Sequence, residues 1–204
     1  MAASNGFNTF RIENLADGVY AIAMTILVLG IKVPIGLDTS SNASKIFSTS
    51  VFIPLMIYFL SFLIIGTYWV GTHIQHHFTA KTDRILLWLN ILLLMIISVI
   101  PFSASFLSNY FGDKASIVFY SVNLLSASAC QLIMLYYSRK KKFLKPHVTF
   151  VVYRSVRTRI LVPAIFYMLA IMTSFFKPEY AIYLFIIPLV LDLIPGQVDK
   201  EIEQ

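Results

Sequence analysis

Three sets of side chains in this 204-residue chain have types and spacings that could do chemistry. The first is Asp17, preceded by Arg11 and Glu13 and followed at once by Gly18, with no further charge until Lys32. An ionisable residue inside an apolar helix is costly, and it marks an ion path, a proton relay or a buried structural cluster. The second is His73, His76 and His77, spaced i, i+3 and i+4 so that they share one helical face. The same HxxHH spacing occurs in membrane di-iron desaturases, but those sites draw on many more imidazoles than the four histidines here. A zinc site would lack an obvious carboxylate or thiolate partner. The simpler reading has His73 hydrogen-bonded within the protein and His76 and His77 at the level of lipid headgroups. The third is Asn90, a single amide in the apolar run 85–108, whose usual use is a hydrogen bond to another helix. The chain contains no T-V-G-Y-G filter, no phosphate-binding P-loop, and neither G-x-S-x-G nor H-E-x-x-H. No enzymatic activity is expected from it. Cys130 stands alone, which excludes an intrachain disulfide, and reads as an inert buried thiol.

The elements that must position these residues follow from composition. Apolar residues make up 58% of the chain and charged residues 13%, with a mean hydropathy of +0.77. A soluble domain carries about 25% charged residues. This chain cannot cover itself with polar surface, so a soluble enzyme, a disordered protein and a disulfide scaffold are all excluded. The net charge of +6 would suggest nucleic acid in a soluble protein, but here it reports orientation, and no nucleic-acid partner is expected.

Runs without charge predict an all-α polytopic membrane protein, a single domain over 1–204. Its six helices lie near 10–33, 47–73, 85–108, 115–138, 160–176 and 180–194, the second extending past the hydrocarbon. No cleavable leader is expected, because no basic segment precedes an apolar run and a small-residue cleavage site. Twelve of the sixteen Lys and Arg fall on one side of this arrangement, leaving Lys32, Lys45, Lys114 and Lys177 on the other. The positive-inside rule then places both termini in the cytoplasm. The segment 35–45 reads as an exposed outer loop. The segment 139–159 reads as a basic cytoplasmic linker that sets topology and can contact anionic lipid. Pro101, Pro163 and Pro188 lie within spans, where membrane helices tolerate them. Trp88 is expected in the core, a turn inside the hydrocarbon.

At about 100° per residue, Ile22, Thr25, Ile26 and Leu29 form one stripe on helix 1, and Asp17 points away from it. The stripe can face a lumen or a partner helix while Asp17 is held in the protein interior. Arg11 lies about 120° around the helix from Asp17, so a bridge through another helix is the more economical link between them.

Residues 11–34 resemble the signature of the transmembrane protein 175 potassium channel family in its prokaryotic six-helix form. Arg11, Asp17, Gly18 and the run Ile31, Lys32, Val33, Pro34 match it. Leu15 and Ala16 stand where the family has Phe and Ser, and Ala16 removes one hydroxyl. Tyr68 with Trp69, the stretch 86–90 and Pro101 with Phe102 are also similar to the family. The resemblance implies a homotetramer in a prokaryotic plasma membrane, with potassium as the permeant ion and no cofactor. In it, helix 1 lines a central pore, Ile22 forms the narrowest ring, Thr25 supplies a hydroxyl, and Ile26 and Leu29 form outer apolar rings. It further implies a network beside the pore drawn from Arg11, Asp17, Gly18, Trp69, His73 and Asn90, with His77 a rival to His73. The competing class is a proton-coupled secondary transporter that uses Asp17 as its carboxylate.

Overall fold

The computed structural model describes residues 9–32, 51–146 and 148–192. The proposed outer loop 35–45 lies outside them. The described chain is helical: α1 (Thr9–Ile26) running into a 3-10 turn (Leu27–Gly30), α2 (Phe52–Phe78), α3 (Arg84–Asn109), α4 (Lys114–Lys140), α5 (Phe150–Ser174), α6 (Pro178–Ala181) and α7 (Tyr183–Asp192). Five of these stretches are long and apolar enough to cross a bilayer. The sixth expected helix appears as α6 and α7. Ten residues of α7 rise only about 15 Å, roughly half of a hydrocarbon core.

The elements end where local chemistry ends them. Asp83 accepts the Leu86 N–H at 2.9 Å, Asp113 the Ala115 N–H at 2.6 Å and Thr149 the Val152 N–H at 3.3 Å, each satisfying an orphan donor at a helix start. Gly112, at φ 83, makes the left-handed turn between α3 and α4. Past the end of α4, Phe143 N–H reaches the Ser138 carbonyl at 2.9 Å and Lys142 N–H reaches Arg139 at 3.1 Å. This is a Schellman closure, and it puts Lys142 at φ 58, where glycine is usual.

The boundary of α5 departs most from the expectation. The helix starts at Phe150 rather than 160, so the basic linker is half helix. The reason is amphipathicity: Val152, Tyr153, Val156 and Ile160 are buried at helical spacing while Arg154 and Arg157 remain exposed. Arg139 of α4 lies over the Tyr153 ring at 4.1 Å and fixes that first turn. The loop that remains is pinned to the α2–α3 turn by an isolated bridge between Thr79 and Leu144. Ala80 N–H donates to Phe143 at 2.7 Å and Lys145 N–H to Phe78 at 2.9 Å.

α4 is the most buried span and packs chiefly on α3 and α5. Its inward residues include Ser116, Ser121, Ala127 and Ser128, small enough to let neighbouring backbones approach. Cys130 is buried there, as expected. Trp88 is not in the core: it is 61% exposed on α3. The opposite face of α3, carrying Leu86, Asn90, Leu93, Leu94 and Ile97, takes the interior, which turns Trp88 outward.

Candidate pore face and its supporting network

α1 has two faces of different character. Ala16, Tyr20, Ala23 and Leu27 are buried against the rest of the protomer. Packing is close just beyond them, where a Cβ built on Gly30 would meet the Ser105 side chain at 3.4 Å. On the other side, Ile22 is 59% exposed, Ile26 45% and Leu29 73%, and Thr25 and Gly18 are exposed with them. The protomer thus presents the four-residue stripe as one uncovered apolar face carrying one hydroxyl. Thr25 Oγ1 donates back to the Ala21 and Ile22 carbonyls, both at 3.0 Å. A hydroxyl has one proton and two lone pairs, so this back-bonding leaves oxygen lone pairs directed away from the helix.

Asp17 is not in the protomer interior as expected; it is exposed on the flank of α1. The physical reason is its register, about a quarter turn from the centre of the buried face. There the Trp69 indole N–H donates to Asp17 Oδ1 at 2.8 Å. The Trp69 ring stacks on His73, with centroids 5.9 Å apart and planes at 27°. Asp17, Trp69 and His73 therefore form one partly exposed chain from α1 to α2. Arg11 is exposed, and among the described residues it makes no bond to Asp17. Asn90 lies on the buried face of α3. It is 2% exposed, and among the described residues neither of its amide atoms has a hydrogen-bond partner. The histidine that approaches it is His76, not His73, while His77 sits edge-on to Phe78 at 5.3 Å. Among the described residues no group of three His, Cys, Asp or Glu could hold a metal ion.

A second polar cluster, unremarked in the sequence, fastens α1 from its buried side. Tyr20 OH lies 2.8 Å from Thr72 Oγ1. Thr72 donates its own proton to the Tyr68 carbonyl at 2.9 Å, so Tyr20 is the donor of that pair. Gln131 Nε2 of α4 donates both to Thr72 Oγ1 and to the Tyr68 carbonyl, each at 3.0 Å. Tyr68 OH donates to the Leu124 carbonyl at 2.6 Å and accepts from Ser128 at 2.8 Å. The signal for it in the sequence is Tyr68 and Thr72 at i and i+4, with Ser128 and Gln131 at i and i+3 in another helix.

Outside the spans, Asp83 links the α2–α3 turn to α4 by accepting the Tyr137 hydroxyl at 2.6 Å. Burial raises its carboxyl, but the bonds from Tyr137 and Leu86 and the nearby Lys141 outweigh this and hold it below the usual carboxylate range.

Five long apolar helices with small-residue packing and an internal polar cluster define a multi-pass α-helical membrane protein. The family model described as endosomal/lysosomal potassium channel TMEM175 matches residues 11–101. A potassium channel of Streptomyces collinus is 30% identical over 181 residues, covering 81% of this chain and 82% of its own. A potassium channel of a Chryseobacterium species is 31% identical over 200 residues, covering 95% of each. The fold matches the crystal structure of a lysosomal potassium-selective channel TMEM175 homolog from Chamaesiphon minutus, with a TM-score of 0.76 at 23% identity, over 90% of this chain and 95% of that one. The chain belongs to the TMEM175 family.

Proposed function

We propose that the chain is one subunit of a potassium-conducting, leak-type channel in the bacterial plasma membrane, with both termini cytoplasmic. Four copies surround a central pore lined by α1. The observation that carries this reading is the exposed stripe of Ile22, Thr25, Ile26 and Leu29, an apolar face that nothing in the described protomer covers. The names of the relatives, potassium channels in bacteria, agree with it.

Physically, four Ile22 side chains make a dry constriction that gates by losing its water. Potassium holds its hydration shell less tightly than sodium and sheds part of it at lower cost. An apolar ring offers no replacement oxygen, so selectivity at Ile22 is modest. The outward lone pairs of four Thr25 hydroxyls supply oxygens one turn further on. Asp17 holds α1 against α2 through Trp69 and does not touch the ion. The basic segment 139–159 lies against anionic headgroups on the cytoplasmic side.

The test is potassium uptake into proteoliposomes by wild type and Ile22→Asn, with sodium in a parallel arm. Potassium-preferring flux that rises or loses selectivity in the variant supports the constriction. A variant indistinguishable from wild type removes Ile22 from the pore. Saturable, pH-driven uptake that Asp17→Asn abolishes without disturbing assembly would replace the channel with a proton-coupled transporter.

A further inference from the structure

Two cavities lie side by side along α5 and α7. One, of about 340 Å³, runs between α2, α4, α5 and α7 and is walled largely by apolar side chains, among them Leu63, Ile74, Ile160, Pro163 and Leu189. The other, of about 560 Å³, is an open groove between the first turns of α5 and the end of α7; its wall is largely apolar, with Phe150, Val151 and Leu191, and Arg154, Ser155 and Thr158 edge it. Arg159 and Asp192 line both, so they stand at the boundary between the two. Both are half-buried, and the carboxylate is within electrostatic reach of the guanidinium. A groove edged by two arginines, abutting an apolar cavity across a charged pair, offers an amphiphile a place for its charge beside places for its chains.

We propose that these adjoining cavities are a site for one anionic phospholipid, with the phosphodiester at Arg154 and Arg159 and an acyl chain in the apolar cavity. The charge count selects the headgroup. Arg154, Arg159 and Asp192 sum to one positive charge, which a single phosphodiester neutralises. Arginine is suited to this because its planar fork binds phosphate oxygens in pairs. Asp192, an acceptor only, takes a hydrogen bond from a headgroup hydroxyl, as a glycerol headgroup provides. Thr158 Oγ1 already donates its proton to the Arg154 carbonyl at 2.9 Å, so the arginines carry the phosphate. A soluble phosphate would meet only the arginines and leave the apolar walls of both cavities unused. The size of each cavity is within the range of ordinary ligand sites. This site refines the headgroup contact of segment 139–159 and rests on the reading of that side as cytoplasmic.

The experiment titrates the purified full chain in detergent with phosphatidylglycerol and with phosphatidylcholine of the same chain length, counting bound lipid by native mass spectrometry. Phosphatidylglycerol is expected to bind about tenfold more tightly, and Arg159→Gln to erase most of that preference. Arg154→Gln, at an exposed position, gives the same reading if Arg159→Gln fails to assemble. Leu63→Trp, which fills the apolar cavity from an exposed residue, is expected to weaken both lipids. Lys140→Gln with Lys142→Gln is expected to leave the preference intact. Equal binding of the two lipids overturns the proposal, as does a preference removed as fully by the two lysine changes as by Arg159→Gln. Binding of chain-free glycerophosphoglycerol as tight as that of the lipid would also overturn it. No flux is read here, so a failed channel assay and a failed lipid assay are separate results.

Discussion

The bond between Tyr20 and Thr72 gives the sharpest test of how α1 is held. Thr72 Oγ1 is fully used: it donates to the Tyr68 carbonyl and accepts from Tyr20 OH and from Gln131 Nε2. Tyr20→Phe keeps the ring and leaves behind only one vacant lone pair on Thr72. The expected loss is that of one net hydrogen bond, about 1 kcal/mol. Thr72→Val is nearly isosteric but removes the acceptor. Tyr20 OH, in a residue only 1% exposed, is then left with the Tyr68 carbonyl at a long 3.4 Å. Gln131 keeps one of its two acceptors. An orphaned buried donor costs about 1–3 kcal/mol in addition to the lost bond, so Thr72→Val is expected to cost roughly 2–4 kcal/mol. The signature is in the double variant. Adding Tyr20→Phe to Thr72→Val removes the orphan and is expected to be neutral or stabilising, with a coupling energy of at least about 1 kcal/mol. Equilibrium denaturation of all four proteins in the same micelle measures it. Additive losses, or Tyr20→Phe costing more than Thr72→Val, would refute the donor assignment and with it the account of this cluster.

The remaining predictions concern other parts of the fold. Asn90→Leu replaces a buried amide that makes no well-formed hydrogen bond and has His76 close by, and is expected to stabilise the protein by about 1–3 kcal/mol; a clear loss of stability would show that the approach of His76 is a bond that counts. The Asp83 carboxyl is held below its unfolded value, so its contribution is fully present above about pH 4 and is lost as the pH falls through the lower folded value. Unfolding measured across that acid range should therefore flatten in Asp83→Asn and in Tyr137→Phe, and an unchanged slope would assign acid sensitivity to other groups. Lys142→Gly relieves the left-handed backbone that closes α4 and is expected to raise stability by about 1 kcal/mol in thermal unfolding, with no change expected if the closure opens in the membrane.

The sequence by itself determined the class of the protein. A chain with 58% apolar residues and long uncharged runs has no soluble solution, and twenty residues between charges is the length a bilayer asks of a helix. It also determined the stripe of Ile22, Thr25, Ile26 and Leu29, because the helical period is a local property that needs no neighbours. What sits opposite each face is not local. Whether Asp17 lies inside or on the flank depends on the rotation of α1 against α2 and α3, and that rotation is set by Ala16, Tyr20, Ala23 and Leu27 finding their places. The same packing decided that Trp69, rather than an arginine, meets Asp17, and that His76, rather than His73, approaches Asn90. The start of α5 is tertiary for a related reason: its first turns are charged enough to read as linker, and only the burial of Val152, Val156 and Ile160 supplies the face they lean on. The Tyr20–Thr72–Gln131 cluster joins residues up to 111 positions apart on three helices, so only the tertiary structure could assemble it.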